Sequence, residues 1–328
     1  MTSVSVVIPG CNCADTISAC LTAIKCIIDQ PNSPVCELLF IDDGSKDDSA
    51  TIAASHGATV LRGGGKGAGA ARNMGWRAAT CELIWFVDSD CVAAEAALDS
   101  LLPHFDDSAV GAVGGAYDNG CPDSLIACMI HEEIAARHRA MPVNVDFLAS
   151  FNVMYRRSVL ENLGGFDERY LRGQDAELSF RTLDAGHQLR FEHNSRVAHF
   201  HERKLSAYLR AQYRQGYWRA FLHMEHPGRV SGDSYSRLSD HLQPPIALLS
   251  LVTLPLLALP SAAWLPLALL ASLVALQTPM SWRLIEPAGP RIAACFAALS
   301  ALRAYWRGIG LAHGAFVKIR GSSRTKPT

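Results

Sequence analysis

The stretch from Ile246 to Leu276 carries no charged side chain and consists mostly of Leu, Ala, Val and Pro. About 20 such residues cross the hydrocarbon core of a bilayer, so this run is long enough to enter one. Pro255, Pro260 and Pro266 either kink a single long span or divide the run into a short hairpin. A second apolar segment, Ile292 to Val317, holds Arg303 and Arg307, four apart on one helical face. That pattern suits a helix lying at the membrane interface at least as well as a second span. Lys318, Arg320, Arg324 and Lys326 follow with no acidic residue, which favours a cytoplasmic C-terminus. A buried hydrophobic helical domain is the plainer alternative to membrane association.

The remainder reads differently. Val4–Ile8, Glu37–Ile41, Thr59–Leu61, Leu83–Val87 and Val110–Gly114 are short apolar runs. Helix-like segments separate them at Asp15–Ile28, Ser49–His56, Ala68–Thr80 and Ala94–Phe105. Strands that are apolar throughout, rather than alternating, predict a mostly parallel sheet covered on both faces. Ligands of such sheets sit beyond the carboxyl ends of the strands, where the polar clusters Pro9–Asn12, Asp42–Ser45 and Asp88–Asp90 fall. The net charge is −1, so no basic face for nucleic acid is expected. The ten cysteines are scattered without a Cys-x-x-Cys, and no basic segment precedes the strand-length run at Val4. They read as reduced thiols in the cytoplasm.

The carboxylates carry the chemistry. Asp88 and Asp90 follow an apolar strand, and residues two apart on an extended segment share a face, so both can approach one hard cation. A turn with a helix N-cap uses the same residue types. Asp42-Asp43-Gly44-Ser45 ends another strand, where a carboxylate can accept hydrogen bonds from a base or ribose, or simply join a strand to a capped helix. The Gly63–Gly69 loop lacks the phosphate-loop and Rossmann patterns, but it opens a helix whose N-terminus favours anions, with Lys66 and Arg72 at hand. Asp175 and Glu177 follow Gly173, where a base for an acceptor hydroxyl or a favourable helix-dipole charge is expected. His199 and His201 alternate on an extended stretch, and a neutral imidazole there could complete a metal shell.

Taken in order, these segments resemble family 2 glycosyltransferases of the GT-A fold. The order is Val6-Val-Ile-Pro9 with Asn12, Ile41-Asp-Asp-Gly-Ser45, Gly69-Ala-Ala-Arg72-Asn-Met-Gly75 and Phe86-Val-Asp-Ser-Asp90. Asn152-Val-Met-Tyr-Arg156, Gly164-Gly-Phe-Asp167 and Gln174-Asp175-Ala-Glu-Leu-Ser-Phe-Arg181 complete it. The resemblance covers about residues 3 to 220 and implies a catalytic domain over 1–240, with a nucleotide-binding half at 1–115 and an acceptor half at 116–240. Membrane-associated helices over 244–320 and a basic tail at 321–328 follow. It implies that Pro9, Asn12, Asp43, Arg72, Asp88 and Asp90 line the nucleotide-sugar site. Asp90, Asp88 and His199 would hold Mn2+ or Mg2+, and Asp175 would act as general base in an inverting displacement. Two positions depart from the family pattern: Cys11 stands where Tyr or Phe is frequent, and Gln174 replaces the Glu before the base. Gln212–Trp218 lacks the Gln-x-x-Arg-Trp spacing of processive synthases, so transfer of a single sugar is expected.

The implied enzyme sits at the cell membrane with its catalytic domain on the cytoplasmic face. Its partners are a nucleoside-diphosphate sugar, a glycan or lipid-linked acceptor, and membrane lipid. Two other functions compete. A sugar nucleotidyltransferase usually carries a Gly-rich, Arg-containing loop after its first strand, where this chain has Pro9-Gly10-Cys11-Asn12. A non-catalytic membrane scaffold with a nucleotide fold would have no need of all these carboxylates.

Overall fold

The computed structural model describes residues 3–321, so all but the first residue of the basic tail at 321–328 lies outside the described residues. The chain divides into two compact units, residues 1–120 with 138–200, and residues 121–137 with 201–328.

The first unit is built on nine strands: β1 (Val4–Gly10), β2 (Val35–Asp42), β3 (Thr59–Arg62), β4 (Leu83–Val87), β5 (Cys91–Ala93), β6 (Val110–Asn119), β7 (Asn144–Val145), β8 (Asn152–Arg156) and β9 (Gln188–His199). They form one sheet in the order β3-β2-β1-β4-β8-β6-β9-β5, with β7 beside β9. β1, β2, β3 and β4 pair in parallel, as their apolar runs predict, and every residue of β1 and β4 is buried. Beyond β4 the sheet is mixed: β8 runs antiparallel to both β4 and β6, while β9 runs parallel to β6 and antiparallel to β5. Of the mostly parallel sheet expected from the sequence, the parallel pairing runs unbroken through the first four strands and recurs between β6 and β9.

The helix Ala68–Ala78 lies close on this parallel part. A Cβ on Gly75 would stand 2.2 Å from Val7 Cγ1, so only glycine allows the approach. Two residues earlier, Asn73 is buried and holds the Gly164–Asp167 turn. Its Nδ2 donates to Phe166 O at 2.8 Å, and its Oδ1 accepts from Phe166 N at 2.8 Å. Asn152, wholly buried on β8, accepts from Trp85 Nε1 at 2.8 Å and donates to Ser195. These amides are motif residues whose work is to join segments distant in sequence, since a buried polar group needs a partner.

The second unit is helical. The apolar run divides at residues 259–263 into two segments long and apolar enough to cross a membrane, Leu238–Ala258 and Trp264–Arg283. This is the hairpin alternative. Pro255 starts the short 3-10 turn Leu254–Ala258, Pro260 falls in the link, and Pro266 sits in the first turn of the second helix, where proline is tolerated. Only 17% of the most apolar window of each is buried. Val252, Leu259, Trp264, Leu267 and Val274 are exposed.

Ile292–Val317 falls within the helix Ile285–Ile319, which is broken at Gly289. Its arginines point into protein, which corrects the expectation of an interfacial arginine face. Arg303 is buried against the Glu133 carboxylate, and Arg307 donates to Gln212 at 2.7 Å and Gln215 at 2.8 Å. Gly310 and Gly314 bring this helix against Leu205–Glu225, where Cβ atoms would meet Tyr213 O at 2.0 Å and Tyr217 O at 2.3 Å. Glu133 also pairs with Arg137 at 2.7 Å, and Arg137 reaches Asp240 at 2.7 Å.

Burial alone would raise the Glu133 carboxyl, but Arg303 and Arg137 hold it down at about 2. Removing one member of a buried pair strands the other charges and costs about 3–5 kcal/mol. Glu133→Leu is therefore expected to lower the thermal midpoint of the detergent-solubilised chain by about 6 °C or more. A wild-type midpoint would show that the network adds no stability. Because the folded carboxyl titrates below its ordinary value of 4.5, this stabilisation is full above that pH and drains away as the pH falls toward 2.

Candidate functional site

The carboxyl ends of β1, β2 and β4 lie side by side, which gathers the polar clusters the sequence placed there. Pro9 is buried within β1, which continues through it to Gly10. Asn12 turns the chain in the left-handed region at φ 52. Its backbone N–H donates to Ser45 Oγ at 2.9 Å and its Oδ1 accepts from Lys46 N at 2.8 Å, so the two loops are clasped together. Asp42 closes its own turn by accepting from Ser45 N at 2.9 Å and pairs with Arg62 at 3.3 Å. Asp43 is buried and accepts from Lys66 N at 3.1 Å and Gly67 N at 2.7 Å. The Gly-rich loop is thus anchored by Asp43, which leaves each carboxylate oxygen with further acceptor capacity.

Asp88-Ser89-Asp90 is a turn, not an extended segment: Cys91 N donates to Asp88 O at 3.0 Å. The two carboxylates consequently have different partners. Asp88 Oδ1 accepts from Arg72 Nη2 at 2.5 Å. Arg72 is 3% exposed, lies 5.6 Å over the Phe166 ring, and has two further guanidinium nitrogens, Nε and Nη1, with no partner. Asp90 Oδ2 faces His199 Nε2 at 3.2 Å. The antiparallel pairing of β5 with β9 puts Cys91 opposite His199, and Phe200 N donates to Asp90 O at 3.0 Å, so sheet register makes this contact. The His199 ring is tilted against Tyr117 at 4.7 Å between centroids.

Burial pushes the Asp88 carboxyl up, against the pull of the Arg72 guanidinium. Burial acts the same way on Asp90, but His199 outweighs it and holds that carboxyl below its ordinary range.

Asp90, Cys91 and His199 bring an oxygen, a sulfur and a nitrogen within 4.8 Å of one another, close enough for a metal ion. Cys91 was not a candidate from the sequence. Adjacent residues on a strand face opposite ways, and only the register of β5 on β9 shows the thiol near the other two. Burial raises the Cys91 thiol well above its ordinary value, which leaves Asp90 and His199 as the ready donors.

Asp175 occupies the first turn of the helix Gln174–Asp184, half-buried, and its Oδ1 accepts from Ala176 N at 2.9 Å. Beside it Gln174 is buried, with Oε1 lacking a partner. Cys11, Cys13, Cys20, Cys26, Cys36, Cys81, Cys91 and Cys295 are in no disulfide.

The chain is similar to known glycosyltransferases in sequence and fold. The model of the family described as Glycosyl transferase family 2 matches residues 5–164. Over 240 residues the chain is 29% identical to a pre-mycofactocin glycosyltransferase of Mycobacterium tuberculosis, covering 70% of this chain and 49% of that protein, so it spans about half the length of that relative. Over 228 residues it is 29% identical to glycosyltransferase AglE of Haloferax volcanii, covering 65% of this chain and 71% of that one. Among solved structures, mannosyltransferase PcManGT from Pyrobaculum calidifontis, in complex with GDP-Man and Mn2+, superposes with a TM-score of 0.61. It is 18% identical and the match covers 97% of this chain and 88% of that one, a likeness of fold.

Proposed function

Because the model of glycosyl transferase family 2 matches residues 5–164 and the chain has the GT-A fold, we propose that it transfers a single sugar, with inversion, from a nucleoside-diphosphate sugar to a lipid-linked or cell-surface glycan acceptor. The observation that carries this reading is Arg72. A buried guanidinium with two unpartnered nitrogens, set at the carboxyl edge of a parallel sheet, is a binding group for a multiply charged anion such as a diphosphate. Asp88 fixes its orientation. Asp43, with Pro9 and Asn12 shaping the loops around it, accepts hydrogen bonds from the nucleoside.

The donor set fits a divalent ion. A carboxylate and an imidazole suit Mn2+ better than Mg2+, which prefers oxygen alone. Asp90 and His199 would hold the ion, with Asp88 adding negative charge nearby. When bound there, a divalent cation supplies positive charge beside the departing diphosphate. Asp175 takes the proton of the acceptor hydroxyl. The acceptor oxygen bonds to the anomeric carbon as the bond from that carbon to the diphosphate breaks, and the nucleoside diphosphate leaves. The apolar hairpin attaches the enzyme to the membrane, and the cations Lys318 and Arg320 favour placing its catalytic unit on the cytoplasmic side.

The test uses the purified full chain in detergent with UDP-, GDP- and dTDP-sugars, with Mn2+, Mg2+ or a chelator. One donor class is expected to turn over only with metal, adding one sugar of inverted anomeric configuration. Failure of every donor to turn over, together with no thermal stabilisation by any nucleoside diphosphate, would overturn the proposal.

A further inference from the structure

The second unit holds a small open cavity lined by Arg137, Arg237, Asp240, Gln243, Gln277 and Arg303, among others. Three arginines thus meet one carboxylate in its wall, and Glu133 behind it adds a second by bridging Arg137 and Arg303. One positive charge is left over, and it has a place. Among the described residues the Arg237 guanidinium makes no ion pair. Burial, then the charges of Arg283 and Arg137, draw it below the ordinary arginine range against the pull of Asp240.

The amides tell the same story. Gln277 is 5% exposed, and its Nε2 has no partner. Gln243 beside it is also 5% exposed. A buried amide N–H without an acceptor costs about 1–3 kcal/mol. Donors and surplus charge facing one cavity call for an anion with several acceptor oxygens.

Its position says which anion. The wall takes residues 239–243 from the start of one apolar segment and residues 276–280 from near the end of the other. Residues 241–282 carry no charge, and Asp240 and Arg283 bracket them. The ends of membrane-crossing segments lie at headgroup depth. We propose that this cavity binds the phosphate of an anionic membrane lipid, held by the Arg237 guanidinium and the Gln277 amide. The proposal rests on the membrane attachment inferred above.

The experiment uses the full chain in neutral detergent. Its thermal midpoint is followed against phosphatidylglycerol, phosphatidylcholine and inorganic phosphate, and flotation is measured with vesicles of phosphatidylcholine alone or containing phosphatidylglycerol. Phosphatidylglycerol alone is expected to raise the midpoint. Arg237→Gln and Gln277→Leu each raise the half-saturating lipid concentration about tenfold or more, the loss of a charge-assisted hydrogen bond. Arg291→Gln, at an exposed position outside the cavity, leaves it unchanged. Equal effects of the two lipids, or wild-type response in both cavity variants, overturn the cavity assignment while flotation with either vesicle leaves the attachment standing. A full shift with inorganic phosphate overturns the lipid assignment in favour of a free anion. Absence of flotation with both vesicles overturns the attachment and this proposal together.

Discussion

Asp90→Asn is expected to lower sugar transfer about 100- to 1,000-fold, the loss that follows removal of one group stabilising charge at a reacting centre. The Asp90 carboxylate faces His199 at 3.2 Å, and the imidazole favours its ionised form. Asparagine keeps the shape and one oxygen but gives up the negative charge that a divalent ion needs. The side chain is 42% exposed, so folding should survive. The loss is expected in kcat and kcat/KM alike, because the stabilised charge develops only as the diphosphate departs. Transfer at the wild-type rate with an unchanged metal requirement would remove Asp90 from the account.

Asp175→Asn is expected to cost about 100- to 10,000-fold in kcat, the range for a general base. The amide oxygen of the substituted side chain can still accept from Ala176 N, as Asp175 does, so this local contact is kept. Donor binding, which uses other residues, is expected to remain within about twofold of wild type. A variant that lost donor affinity but kept kcat would assign Asp175 to binding. One that kept both would leave the reaction without its base.

The parallel half of the fold was legible because its strands are buried on both faces, and burial writes an unbroken apolar run such as Leu83–Val87. The mixed half was not. β9 has a half-polar burial pattern over Gln188–His199, and nothing local shows that it runs parallel to β6 yet antiparallel to β5. That register sets the Asp90–His199 contact, so the sequence offered two candidate donors without their geometry. It also suggested that Asp88 and Asp90 share a face, as on a strand. The turn at Ser89 gives them to different partners, and the Asp88–Arg72 pair spans 16 residues that no pattern connects. The apolar C-terminal region was clear in its length and obscure in its form. Prolines placed the break in the hairpin, but the helical face of Arg303 and Arg307 gave no hint of Glu133, 170 residues before Arg303. A charge pattern records what a helix carries, not whether its neighbour is lipid or a carboxylate.

The claim at the centre is that Arg72, Asp90 and His199 form one site for the diphosphate of the donor. It is tested most directly by calorimetric titration of the chain with the nucleoside diphosphate of its donor, in Mn2+ and in chelator. The wild-type chain is expected to bind at least about tenfold more tightly with Mn2+, a difference of about 1.4 kcal/mol, and Asp90→Asn to bind equally in both. Equal affinity of the wild-type chain in Mn2+ and in chelator, or an undiminished Mn2+ effect in Asp90→Asn, would contradict it.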